Sequence, residues 1–310
     1  MAGHRIRIAA VALVASFGAG VVAGAASAQE VRVAYVEATD PAGQPVTDLD
    51  PGAFRVTEGG KEARVLAVRS AREPMKIALL VDNGAAMRAG HAVVPLRDAV
   101  AAFLEALPPQ HAVSLITIGG QVRRRVDFTT DRRELVDAGR ALFADEVGGV
   151  RFVDGIRETL DRRYEGDEAW PVFVSLLGDG PEASAFLPDW HAFANSRRYR
   201  RFVNGLRAAG VTVHAVQWSA AGRNRPDSAV DFAVDLAQNT AGRYAAVVVA
   251  NRMADAMAKL ASDIGAHYDE ASHLYVVAYE RPDPPADLVT VRVPRPDVAL
   301  HTFPDRRIDR

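Results

Sequence analysis

Between residues 75 and 265 the chain alternates short, almost uninterrupted apolar runs with longer segments of helical spacing, and this alternation constrains the fold more than any other feature. Residues 76–81, 112–118, 172–177 and 211–217 are apolar runs of strand length. Between them, segments near 91–107, 132–143, 152–163, 190–209, 228–238 and 254–264 carry apolar residues three and four apart. A strand that is apolar on both faces must be covered on both, and the crossovers between parallel strands supply the covering helices. The pattern predicts an α/β fold: a doubly wound, mostly parallel sheet occupying residues 74–266. Residues 121–128 alternate apolar with charged, as a more exposed strand would, and Arg123-Arg124-Arg125 suits a sheet edge protected by charge. Residues 243–249 read as the last strand of this unit.

The flanks follow a different pattern. In segment 29–73, residues 31–38 alternate in and out, Asp40-Pro41-Ala42-Gly43 marks a turn, and residues 54–58 and 63–68 around Gly59-Gly60 read as a hairpin. In segment 267–310, residues 273–280 and 288–293 read as strands joined by the turn Pro282-Asp283-Pro284-Pro285. Neither segment is long enough for a core of its own. They are expected to pair into one small β domain, with the α/β domain inserted between them.

Residues 1–28 are expected to leave the mature protein. His4, Arg5 and Arg7 make a positive start, residues 8–24 are uncharged and apolar or small, and Ala26-Ser27-Ala28 has the form of a cleavage site before Gln29. The alternative is an uncleaved anchor, although the run is rich in Ala and Gly and only weakly apolar. The expected location is periplasmic or secreted, without further membrane association. Losing Arg5 and Arg7 takes the formal charge from −2 to −4, and a mildly acidic exported chain argues against a nucleic-acid partner. The absence of cysteine rules out disulfides, thiolate metal sites and thiol nucleophiles.

Asp82 and Asp179 lie just past the ends of two central strands, where doubly wound sheets bind ligands. No G-x-x-x-x-G-K-[ST] loop and no G-x-S-x-G elbow occurs, and no nucleophile–base pair can be named, so the chain is expected not to be an enzyme. His91, His111, His191, His214, His267 and His273 are scattered without metal-ligand spacing and read as surface or packing residues. Arg197, Arg198, Arg200, Arg201 and Arg207 suit a solvated helix face, with an anionic partner or a lipid surface as the sharper reading. Phe186 and Trp190 suit either a contact surface or a core.

Leu79-Leu80-Val81-Asp82-Asn83-Gly84-Ala85-Ala86-Met87 resembles the first strand and D-x-S-x-S loop of von Willebrand factor A domains. Residues 149–156 resemble the family's G-T-x-L-x-D-A-I loop, with Asp154 and Ile156 in register. Gly178-Asp179-Gly180 resembles the T-D-G that ends the fourth strand, and Thr240-Ala241-Gly242-Arg243-Tyr244 the T-G-G-x-Y turn. Val46-Thr47-Asp48-Leu49, Phe54-Arg55-Val56, Glu58-Gly59-Gly60-Lys61 and Leu274-Tyr275-Val276-Val277-Ala278-Tyr279 resemble the flanks of a bacterial exported family, the VWFA-related domain proteins.

The resemblance implies a metal-ion-dependent adhesion site in which two serines and a threonine give hydroxyl oxygens and two aspartates act mostly through water. This sequence has Gly84, Ala86 and Val150 at the hydroxyl positions and keeps only Asp82 and Asp179. Two carboxylates are a weak site for Mg²⁺, which wants six hard oxygens and dehydrates reluctantly. Without a cation, two ionised carboxylates this close should push one pKa up. Both aspartates also suit a structural role, in a tight turn or accepting backbone N–H bonds. The expectation is therefore a non-enzymatic protein-binding module with a degenerate metal site and no cofactor. An unidentified protein partner would be held on the rim formed by Asp82, Gly84, Ala86, Val150, Asp179 and Trp190, in loops 82–87, 148–153 and 179–190. The alternatives are Mg²⁺-dependent adhesion through Asp82 and Asp179, or a structural part of an envelope assembly.

Overall fold

The computed structural model describes residues 31–70, 73–145, 148–164, 170–186, 196–219 and 229–303. The leader expected over 1–28, its cleavage point at Ala28/Gln29, His191 and Trp190 lie outside the described residues.

The central sheet is built from β4 (Met75–Val81), β5 (Ala112–Thr117), β6 (Arg123–Thr129), β7 (Trp170–Leu177), β8 (Thr212–Trp218) and β9 (Tyr244–Val247), in the order β6-β5-β4-β7-β8-β9. All pairs are parallel except β5–β6. The antiparallel strand β6 is the edge, and Arg123, Arg124 and Arg125 are exposed there, as the charge pattern predicts. The chain leaves β4 toward β5 on one side and later returns to β7 on the other. The topological switch therefore falls between β4 and β7.

Successive side chains of each strand enter opposite layers. Along β4, Ile77, Leu79 and Val81 face α2 (Val93–Ala106) and α7 (Met253–Ala271), joined there by α3 (Arg132–Arg140) through Leu135. Ala78 and Leu80 face α4 (Phe152–Arg163), α5 (Arg197–Ala208) and α6 (Val230–Asn239). Full burial of a Leu, Ile, Val or Phe side chain stabilises by about 1.5–3 kcal/mol, which is why the apolar runs specify this two-sided layer. On α5 the five arginines lie on the exposed face while Tyr199, Val203 and Leu206 are buried, so the solvated-face reading holds.

The flanking segments form one antiparallel sheet, as expected: β1 (Val31–Thr39), β2 (Arg55–Glu58), β3 (Lys61–Ser70), β10 (Tyr275–Glu280), β11 (Val289–Arg292) and β12 (Ala299–Phe303), ordered β11-β2-β3-β10-β1-β12. Period-2 alternation divides their side chains. Ala34, Val36, Ala38, Tyr275, Val277 and Tyr279 enter a core around Phe54 and Val56. Tyr35, Leu274 and Val276 face the other way, onto the layer of α2 and α7.

Three expectations need correction. The last helix does not stop at Ile264, and the boundary placed at 266 falls inside it. Ile264, Tyr268 and Ala271 continue its buried stripe at helical spacing, so α7 runs on to meet the terminal sheet. The helix expected over 190–209 is described only from Arg197, where Ser196 caps it by accepting from the Tyr199 N–H. The strand β12 and the short helix α1 (Ala85–Ala89) went unread. His111 and His214 are buried, and each Nδ1 accepts a backbone N–H, from Met75 and Arg243. Burial pushes their pKa values down to about 4 and about 3, so they pack as neutral rings.

Candidate functional site

At the carboxyl ends of β4 and β7 the chain turns out of the sheet at two aspartates. Asp82 follows Val81, and its N–H is held 2.8 Å from the Leu176 carbonyl of the neighbouring strand. The side chain is fully buried. Its Oδ1 accepts the Gly84 N–H at 2.8 Å and its Oδ2 accepts the Gly178 N–H at 2.9 Å, so one carboxylate ties the two strand ends together. Burial raises its pKa above the ordinary carboxylate range. The two backbone N–H bonds oppose that rise, and the charge of Asp179 adds to it.

Three loops are knitted around this point. Asn83 receives the Gly119 N–H on its side-chain oxygen and donates to the Phe143 carbonyl. Val150 pairs with Gly119 on one side and Glu182 on the other through isolated β-bridges. The backbones come so close that a Cβ on Gly119 would stand 2.4 Å from the Gly84 nitrogen. Only glycine fits there.

A cavity of about 330 Å³ opens between these loops, lined among others by Asp82, Gly84, Ala86, Val150 and Asp179. Five of the six rim positions read from the sequence therefore meet in one place, and the sixth, Trp190, lies outside the described residues. Phe186 is not in this wall. It packs against Phe202, with the guanidinium groups of Arg157 and Arg198 over its ring at 5.3 and 5.0 Å. The remaining walls include Ala89, Gly90, Pro181 and Trp218. Trp218 was not anticipated, although it ends β8 at the same carboxyl edge.

Two further carboxylates brace the loops. Asp154 accepts the Ser184 hydroxyl at 2.7 Å and the Ala185 and Phe186 N–H groups, and pairs with Arg151 at 3.1 Å. Burial alone would raise its pKa, but these bonds outweigh it and hold the group below the usual range. Glu182 accepts the Phe152 and Val153 N–H groups at the start of α4. Burial pushes its pKa up to about 8, against those two bonds, so it is mostly neutral at pH 7. Its role was missed in the sequence. A signal existed: the N-cap position of α4 is Arg151, which cannot cap, and orphan N–H groups need an acceptor from elsewhere.

The residues at the adhesion-site positions do not supply a cation's donor set. Gly84, Ala86 and Val150 carry no side-chain oxygen, and both oxygens of Asp82 already hold backbone N–H groups. A Cβ on Gly84 would stand 2.9 Å from the pinned Asp82 Oδ1, so a serine there could not enter without displacing it. Among the described residues no group of three or more His, Cys, Asp or Glu is arranged to hold a metal ion.

The profile of the von Willebrand factor type A domain family matches residues 77–180, from β4 to just beyond β7. No curated protein matches the sequence. Among solved structures, the chain is similar to a von Willebrand factor type A protein from Catenulispora acidiphila, with 12% identity and a TM-score of 0.47 over 77% of this chain. It spans 51% of that protein's length. It is also similar to the conserved hypothetical protein BatB from Bacteroides thetaiotaomicron, with 12% identity, a TM-score of 0.43, and 62% and 99% of the two chains covered. A third is the vWF domain of the type V pili tip protein Mfa5 from Porphyromonas gingivalis, at 11% identity, a TM-score of 0.47, and 63% and 96% coverage. Residues 77–180 thus match the von Willebrand factor type A domain family, and the aspartates at the ends of β4 and β7 lie within or at the edge of that match.

Proposed function

We propose that the protein is a non-enzymatic binding module that holds a partner protein at the cavity between β4 and β7 without a bridging metal ion. One observation carries this reading. The carboxylate that a cation would use is instead a staple between two strand ends, while the cavity beside it stays open and is rimmed by exposed residues of α1 such as Ala85 and Ala89. Loops on a rigid sheet are common recognition surfaces. Among the described lining residues there is no serine, threonine, cysteine, histidine or lysine, so no hydroxyl, thiol or amine nucleophile stands beside the two aspartates there. We extend the proposal to export: residues 1–28 direct the chain to the periplasm or beyond, and N-terminal sequencing of the mature protein would give Gln29 as its first residue.

The test places a photo-cross-linking residue at Ala89, on the rim, and a control at Glu62, on the terminal sheet. The reading expects a defined protein cross-linked from position 89 and absent from position 62, with equal yield in EDTA and in millimolar Mg²⁺. A cross-link that requires Mg²⁺ would restore cation-dependent adhesion through Asp82 and Asp179. Cross-linking only from position 62 would move recognition to the terminal sheet. Thermal unfolding adds a second readout. A cation that binds the native state alone at a hundred times its Kd would stabilise by about 2.7 kcal/mol, and no such rise is expected.

A further inference from the structure

The cavity contains a carboxylate with no partner among the described residues. Asp179 is 7% exposed and lines the cavity, yet it has no hydrogen-bond or ion-pair partner among the described residues. Asp82 beside it has both oxygens engaged, so Asp179 is the group left to meet an occupant. Among the described residues the lining contains no lysine, arginine or histidine. Apart from the two aspartates it is glycine, alanine, valine, proline and the indole of Trp218.

Buried ions are ordinarily paired. An anionic occupant would meet two carboxylates, and a neutral apolar one would leave Asp179 dry and unpaired. A cationic head on a slender apolar stem satisfies both halves of the site. The head pairs with Asp179, and the stem lies against Ala86, Ala89, Val150, Pro181 and Trp218, whose indole also attracts a cation over its face. A cavity of about 330 Å³ is at the small end of ligand sites, which run from about 300 to 1,000 Å³. It has room for one side chain and not for an extended ligand. We propose that the cavity receives a lysine or arginine side chain of the partner protein, with Asp179 as its counter-ion. This rests on the partner-binding reading above and adds the chemistry that is recognised.

The test titrates the intact protein in EDTA with N-acetyl-lysine methylamide, following backbone amides of Gly84, Gly149 and Gly180 and the Trp218 indole N–H by NMR. Parallel titrations use the arginine counterpart, the Nε-acetylated lysine, N-acetyl-glutamate methylamide, free cadaverine and Mg²⁺ alone. The expected result is saturable shifts with the lysine or arginine probe. Binding should weaken about tenfold or more on acetylation of the probe and in Asp179→Asn, because a charge-assisted bond is lost in each. Equal binding of acetylated and free lysine, preference for the glutamate probe, or no shift at all would overturn the inference. Tighter binding of cadaverine would overturn the side-chain source and assign the cavity to free diamines. Stronger shifts with Mg²⁺ would replace it with a metal site. Cross-linking from position 89 reports the partner-binding reading separately. If Asp179→Asn leaves that cross-link intact, the partner reading stands and the cation inference falls.

Discussion

Removing either of the two aspartates should change stability in opposite directions. In Asp82→Ala, the Gly84 and Gly178 N–H groups lose acceptors at 2.8 and 2.9 Å. A buried donor left without a partner costs about 1–3 kcal/mol, so two amount to ~2–6 kcal/mol. The neighbouring cavity admits water to part of the gap, and losing a charge that sits beside Asp179 returns some energy. Both corrections place the expected loss in the lower half, ~2–4 kcal/mol. Asp179→Asn breaks no bond to a described residue and removes a buried carboxylate that none of them pairs, so it should stabilise, by ~0.5–2 kcal/mol. The assay is urea unfolding at pH 7 in EDTA, read by circular dichroism and tryptophan fluorescence, with an unchanged m-value certifying that the native and unfolded states are comparable. If Asp82→Ala proves neutral or stabilising, Asp82 is not a staple. Its carboxylate would then be uncommitted to the fold and open to a metal ion.

Glu182 gives a pH signature. Its folded pKa, about 8, is above its unfolded value, so its contribution is complete below pH 4.5 and is lost as pH rises through 8, with a slope of at most about 1.4 kcal/mol per pH unit. Glu182→Gln should flatten the stability–pH curve in that window, and a curve of unchanged slope would exclude the assignment. Gly90→Ala places a Cβ 2.0 Å from the Trp218 Cη2, so the indole must shift. The expected result is a loss of about 1–3 kcal/mol together with a changed tryptophan emission and loss of the lysine-probe response. Gly84→Ser, which restores one hydroxyl of the family's site, should lower the melting temperature and produce no Mg²⁺ stabilisation, because its Cβ collides with the pinned Asp82 Oδ1. A Mg²⁺-dependent rise in that variant would show that only the hydroxyl was missing.

The central sheet was legible because each of its inner strands is apolar on both faces, a pattern that few other architectures can bury. The site positions were legible for a related reason. Asp82 and Asp179 follow the ends of those runs, and a doubly wound sheet brings such ends together at its switch point. What the sequence hid was non-local. Glu182 caps a helix that starts thirty residues earlier in the chain, and nothing near Glu182 announces it. Trp218 lies one residue past the apolar run 211–217, and only the packing of β8 beside β7 puts it in the cavity wall. β12 escaped notice because residues 299–303 mix Ala, Leu, His, Thr and Phe without clean alternation, and pairing with β1 decides their conformation. α7 was cut short because Gly265 and His267 look like a helix end. The Tyr268 and Ala271 contacts with the core outweigh the weak local preference.

The pairing of the two chain ends sets a timetable. β1 is the first described strand, yet both its neighbours are nearly the last: Val36 lies opposite Tyr275 on one side and Thr302 on the other. At a synthesis rate of about 5–20 residues per second, the strand waits roughly 10–50 s for them. During that interval its backbone N–H and C=O groups are unclaimed along both edges, and an unclaimed strand is a template for any other chain nearby. The α/β domain has all its own strands before β10 is made, so it can close first and offer the face of α2 and α7 on which Tyr35, Leu274 and Val276 later settle. The vulnerable species in the life of this protein is therefore the chain that still lacks β10 and β12, and a truncation that removes both strands would make that vulnerability permanent while leaving every strand of the central sheet in place.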